Sequence, residues 1–312
     1  MSSSPKPPRV GRKLNNRIAP TNIGRMSLTR LVWFGMAVSS CSATQPCSAA
    51  SAGVLELALS LPAPQALAAD WDGDGDDTMG IYDPATGTFF LRNTNASGAP
   101  DLKFTFGPIG STMVAITGDW NGDGVATIGV VDSSTGVWFL RNSNTAGAAD
   151  LTFTFNPGGT QPVPGDWDGN GTDTAGVYNP ATGTFYLRNS NSGGAADVSF
   201  TFPVSGNSLR AVSGDWNGDS VDTIGVVDTG SGTWSLRNSN TAGSPDLVFV
   251  FGTGKRPLAA DWNGDGVATA GAFSVPNSTF FLRNSNSAGS ADVICTLFGP
   301  YIFADGFDAV AL

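Results

Sequence analysis

The sequence predicts an all-β chain built from repeats, and three observations predict it. An Asp-Trp run followed by acidic, amide and glycine residues begins at Asp70, Asp119, Asp166, Asp215 and Asp261. The spacings of 49, 47, 49 and 46 residues mark a structural period. Only 13% of the 312 residues are charged, too few to solvate many helix faces, while 41 Gly and 19 Pro supply the punctuation of short strands. Each period also holds four short apolar or alternating segments separated by turn residues. Four strands at this period match a propeller blade. The expected fold is therefore a β-propeller of about five four-stranded repeats of about 48 residues, with an open or incomplete repeat array as the competing architecture.

In chain order, residues 1–25 are rich in Ser, Pro, Asn and basic groups and read as a disordered leader or a segment before the true start. Residues 26–52 read as a signal region, with a basic start and the apolar run Leu31 to Val38, too short to span a bilayer. Val38-Ser39-Ser40-Cys41 has the form of a lipobox, which would make Cys41 a lipid anchor; Ala50-Ser51-Ala52 and Ala66-Leu67-Ala68 offer ordinary cleavage sites. Residues 54–300 form the repeat domain and 301–312 a tail. Leu55, Leu57, Leu59 and Gln65 fall at the offsets of Leu151, Phe153, Phe155 and Gln161, so the domain is expected to begin before Asp70 and cleavage to fall earlier than Ala68.

Each unit then repeats one order of elements. After the acidic run comes a buried strand (Met79 to Tyr82, Ile128 to Val131, Ala175 to Tyr178, Ile224 to Val227, Ala270 to Phe273). A turn such as Asp83-Pro84-Ala85-Thr86-Gly87 leads to a second strand, for example Thr184 to Asn189. A polar Asn- and Ser-rich loop, an alternating strand such as Leu151 to Phe155 and a last short strand carry the chain into the next acidic run.

Charge and composition remove several functions. Of 16 basic groups, 7 lie in the first thirty residues with no acid, so 9 face all 26 acidic residues downstream; this argues against nucleic acid or an anionic membrane as partner. No His is present, which excludes Ser-His-Asp and Cys-His nucleophiles and His-ligated zinc. Three Cys at 41, 47 and 295 make no disulfide framework.

The acidic run has the spacing of an oxygen cage. Counted from its first Asp, positions 1, 3 and 5 are Asp70, Asp72 and Asp74; Asp119, Asn121 and Asp123; Asp166, Asp168 and Asn170; Asp215, Asn217 and Asp219; Asp261, Asn263 and Asp265. Position 6 is Gly except at Ser220. A loop turning at Gly directs alternate side chains, and the carbonyl of position 7 (Asp76, Val125, Thr172, Val221, Val267), toward one point, as Ca²⁺ requires. Position 9 adds Thr78, Thr127, Thr174, Thr223 and Thr269. Position 12, where an EF-hand needs Glu, is Ile81, Val130, Val177, Val226 or Ala272. Asx-turns without metal are the alternative reading, but they do not account for adjacent carboxylates that repel without a cation.

DWNGDG-x-x-T-x-G-V-V-D with a following F-L-R-N-S-N resembles the calcium-loop repeats of FG-GAP and VCBS-type, integrin-like propellers over about residues 65–299. The resemblance implies a propeller with Ca²⁺ at strand-connecting loops and a role in adhesion or recognition. Those loops usually carry Asp at position 9, where this chain has Thr; Asp stands at position 8 only in Asp77, Asp173 and Asp222, with Ala126 and Ala268 in the second and fifth loops. Weak calcium binding is expected, weakest at those two loops.

The position-2 tryptophans (Trp71, Trp120, Trp167, Trp216, Trp262) are expected in the core between blades rather than in sugar sites. Once per unit, Arg92, Arg141, Arg188, Arg237 and Arg283 precede Asp101, Asp150, Asp197, Asp246 and Asp292, and structural ion pairs are expected. The functional expectation is a secreted or surface-anchored, non-catalytic calcium-binding module that recognises an extracellular protein or glycan, with no transmembrane span. The alternatives are a hydrolase or lyase using paired Asp and a structural accessory subunit. A catalytic site should break the period once, and no Asp does so.

Overall fold

The computed structural model describes residues 62–297. Five antiparallel sheets of four strands each follow one another along the chain. The first holds β1 (Gln65–Ala69), β2 (Thr78–Asp83), β3 (Thr88–Leu91) and β4 (Leu102–Thr105). The second holds β5 (Met113–Gly118), β6 (Thr127–Asp132), β7 (Val137–Leu140) and β8 (Leu151–Thr154). The third holds β9 (Gln161–Pro162), β10 (Gly176–Asn179), β11 (Thr184–Leu187) and β12 (Val198–Thr201). The fourth holds β13 (Leu209–Gly214), β14 (Thr223–Asp228), β15 (Thr233–Leu236) and β16 (Leu247–Val250), and the fifth β17 (Arg256–Ala260), β18 (Thr269–Ser274), β19 (Thr279–Leu282) and β20 (Val293–Thr296). This is a five-bladed β-propeller, and each sheet is one blade.

Burial is greatest in the second strand of each blade, and the innermost strands are only partly buried. β2 is buried along its whole length, whereas the outermost β4, β8 and β12 alternate between half-buried and exposed residues. The innermost strand of blade 3 is the shortest because Pro162 and Pro164 supply no N–H to the ladder. The strand before each acidic loop pairs with the strand after it, so the loop joins the two innermost strands of one blade and the unit boundary lies one strand earlier than the period suggests.

No blade buries its apolar faces alone. One cluster joins Leu67, Trp71 and Leu91 of blade 1 to Ile128 and Val130 of blade 2. Equivalent clusters lie between blades 2 and 3 around Trp120, 3 and 4 around Trp167, and 4 and 5 around Trp216. The fifth packs Trp262, Phe273 and Phe280 of blade 5 against Met79, Ile81 and Phe90 of blade 1, so the ring is closed. Backbone bonds seal the same seam: Gly98 N donates to Thr296 O at 3.1 Å and Asp77 N to Asp261 O at 2.8 Å. All five tryptophans are buried between blades, as expected from one large aromatic per unit.

Gln65 and Gln161 are structural equivalents, as their offsets indicated. Each amide bridges to the innermost strand of the next blade, Gln65 to Met113 O and Ala115 N, Gln161 to Leu209 O and Ala211 N. Ala66 to Ala68 lies within β1, so cleavage there would remove an innermost strand. The signal region, Cys41, residues 54–61 and the tail lie outside the described residues. Among the described residues no helix is long and apolar enough to cross a membrane.

Candidate metal loops and the axial carboxylates

The acidic loops fold around their first Asp. In the first loop Asp70 Oδ1 accepts the N–H groups of Gly73 (2.7 Å) and Asp74 (3.2 Å), and Oδ2 that of Gly75 (2.9 Å). Asp74 Oδ1 accepts from Asp76 N at 3.0 Å. The loops at Asp119 and Asp215 repeat this pattern. Such wrapping needs left-handed backbone at position 6, where Gly75 has φ 96° and Ser220, the one non-glycine, φ 66°. Ser220→Gly is therefore expected to stabilise by about 1 kcal/mol, raising Tm by roughly 2–4 °C in a thermal melt. A lower Tm would contradict this account of the loop.

The five loops are not equivalent. One oxygen from each of Asp70, Asp72 and Asp74 lies within 4.8 Å of the others, and these three form the one such acidic group among the described residues. In the second, fourth and fifth loops the position-3 amide instead donates to the position-5 carboxylate: Asn121 Nδ2 to Asp123 Oδ2 at 2.9 Å, Asn217 to Asp219 at 3.0 Å and Asn263 to Asp265 at 2.9 Å. There an internal N–H already engages one oxygen of the position-5 carboxylate. In the third loop Asn170 Oδ1 accepts from Thr172 N at 2.9 Å, leaving Asp166 and Asp168 as its acids.

The position-9 threonines stand apart from this arrangement. Thr78, Thr127, Thr174, Thr223 and Thr269 are buried, and each hydroxyl donates across the strand pair to the carbonyl just before position 1. Positions 1, 3 and 5 and the carbonyls of Asp76, Val125, Thr172, Val221 and Val267 remain as candidate donors.

The position-8 acids, counted above as supplementary charge for the loops, point elsewhere. Asp173 Oδ2 accepts from Asp119 N at 2.7 Å, Asp222 Oδ2 from Asp166 N at 3.0 Å and Asp77 Oδ2 from Asp261 N at 2.7 Å. Each carboxylate thus clasps the preceding blade, beside a backbone bond that runs the other way in all five junctions. Ala126 and Ala268 make only the backbone bond, so their junctions lack the clasp. Burial pushes Asp77 and Asp222 up to about 7, reinforced by neighbouring carboxylates, and raises Asp173 well above the usual range. The expected weakness of the second and fifth loops therefore loses its basis in position 8; the Asn–Asp bonds place the fourth loop with them and the first apart.

The arginine expectation is corrected as well. Arg141 Nε donates to Thr145 O at 2.7 Å and Nη1 to Ala148 O at 2.5 Å, so the guanidinium fills its own polar loop by binding carbonyls. Arg237 and Arg283 repeat this. Asp150 accepts from Asn142 N instead, and the equivalent Asp does so in every blade. Arg188–Asp197, at 4.0 Å, is the one ion pair among the described residues. The asparagines of the polar loops are also structural: Asn95, Asn144, Asn191, Asn240 and Asn286 donate to the position-8 carbonyl of their own blade.

The site and fold together define a closed five-bladed propeller with acidic strand-connecting loops. No family model matches the chain. No curated protein matches it either. Among solved structures it is similar to an Agrocybe aegerita lectin described as recognising non-reducing terminal N-acetylglucosamine, at 17% identity and a TM-score of 0.38 over 76% of this chain and 68% of that one. The strand pairings, not this likeness, establish the propeller.

Proposed function

We propose that the chain is a calcium-braced propeller that recognises an extracellular protein or glycan and catalyses nothing. The observation that supports the reading most is the convergence of Asp70, Asp72 and Asp74. Three carboxylates this close repel one another, and a hard divalent cation taking oxygen ligands removes that repulsion. The donor set fits: Asp72 has no hydrogen bond among the described residues, and the hydrogen bonds of Asp74 fall on Oδ1, leaving Oδ2 free. Asp70 would serve as both ligand and loop organiser, and the Asp76 carbonyl completes the protein's share. Ca²⁺ would supply charge neutralisation and a cross-link between β1 and β2; the residues hold the loop shape already. The resemblance to FG-GAP and VCBS repeats, carried by the motifs, and the signal-like residues 26–52 support a secreted or surface-anchored setting.

Calorimetric titration of the chelator-treated protein with CaCl₂ is expected to give saturable heat with a Kd in the region of 10⁻⁴ to 10⁻³ M. Asp72→Asn should remove the strongest component, and at about tenfold excess over Kd calcium should add about 1.4 kcal/mol to stability. Absence of heat, with melting unchanged by chelator, would refute the calcium reading. Glycan-array binding at millimolar Ca²⁺ tests the ligand class, and silence across the array would leave protein as the partner.

A further inference from the structure

A cavity of about 540 Å³ lies on the ring axis, walled by the innermost strands with side chains that are mostly Ala, Val, Leu and Pro. Its volume is that of a small-molecule site. Five acids are among the lining residues and no Lys or Arg is; Asp215 and Asp261 turn their carboxylates to N–H groups of their own loops, which leaves Asp77, Asp173 and Asp222. Each of these three is half-buried and lines the cavity. In each, Oδ2 takes the neighbouring blade's N–H, while Oδ1 has no hydrogen-bond partner among the described residues. An ionised carboxylate oxygen left without a donor can accept one from a cationic partner.

Spacing decides what kind of cation fits. These three acids do not converge within 4.8 Å, so a single metal ion would not gather them. Blade order sets the pattern instead. Asp173 and Asp222 belong to adjacent blades 3 and 4, and in a ring of five the blade opposite that pair is blade 1, which carries Asp77. The flanking blades present Ala126 and Ala268. Among the position-8 acids the pattern is two carboxylates facing one across the cavity.

We propose that the axial cavity binds an aliphatic diamine, with one ammonium between Asp173 and Asp222, the other at Asp77, and the methylene chain against the Ala and Val walls. Each ammonium supplies N–H donors to the free Oδ1 atoms, and the alkyl chain covers apolar surface.

The test is calorimetry of the full chain in chelator near pH 8.5, where alkylamines remain protonated, with diaminobutane and diaminohexane as probes and butylamine as the monoamine control. The wild-type protein should bind at least one diamine saturably and at least about tenfold more tightly than butylamine, about 1.4 kcal/mol. Asp77→Asn and the Asp173→Asn/Asp222→Asn pair, which keep an acceptor for the clasping N–H, should each lose at least about tenfold, while Asp132→Asn, outside both the cavity and the acidic loops, should leave the affinity unchanged. No saturable diamine binding by the folded wild type, or an equal loss in Asp132→Asn, would overturn the proposal. Should an axial variant not fold, the wild-type comparison decides, and equal affinity for diamine and monoamine overturns it.

Discussion

Trp262→Ala is expected to cost roughly 3–5 kcal/mol of stability in urea titration, the usual price of deleting a buried aromatic. Trp262 is only 5% exposed and packs against Met79, Ile81 and Phe90 of the first blade as well as Phe273 and Phe280 of its own. Its Nε1 donates to Thr269 O at 3.2 Å. The seam it fills joins the two ends of the described chain, and among the described residues side-chain packing and a few hydrogen bonds hold blades 5 and 1 together there. Trp262→Phe keeps most of the apolar area and should lose markedly less. A loss under about 1 kcal/mol for the alanine variant would show that the seam does not carry the ring's stability.

The second large effect is on pH. Asp77 and Asp222 have folded-state values of about 7, above the ordinary 3.8, and Asp173 shifts in the same direction. Between about pH 4 and 7 the folded protein therefore binds more protons at these groups than the unfolded chain does, and stability falls as pH rises. Their contribution is fully present below the unfolded value and lost as pH passes the folded one. Asp132 acts with the opposite sign: hydroxyl bonds from Ser134 and Thr135 hold it down to about 2, so its contribution is lost only as the solution becomes more acidic than pH 4. In chelator, Tm should peak near pH 4 to 5 and decline toward pH 8. Replacing Asp77, Asp173 and Asp222 together by Asn should flatten that decline, and an unchanged slope would show that these groups do not titrate in the range.

Much of this architecture is legible in the sequence because a repeat reports the same environment five times. Trp71 and its equivalents mark the interfaces between blades, since one large apolar group per unit has nowhere else to be buried. Gln65 matching Gln161 located the first innermost strand. The failures share a cause. Arg141 and Asp150 are close in sequence and both charged, yet carbonyl oxygens within the polar loop satisfy the guanidinium, and a backbone N–H satisfies the acid. Spacing alone does not separate that outcome from an ion pair. Asp173 is more instructive, because its partner, Asp119 N, is 54 residues away in another blade. Within the loop it reads as one more metal ligand; only the ring shows that it faces the axis. The available signal was its failure to repeat at Ala126 and Ala268, opposite the strict recurrence of Asp at position 1.

The central claim is a closed five-bladed ring whose first acidic loop holds calcium, and a crystal structure grown in about 10 mM CaCl₂ tests it most directly, well above the expected Kd. The account predicts five blades sealed at Trp262 and an ion ligated by Asp70, Asp72 and Asp74, with lower occupancy where Asn121, Asn217 and Asn263 bond to their neighbouring carboxylates. A vacant first loop, or a ring open between the fifth and first blades, would contradict it.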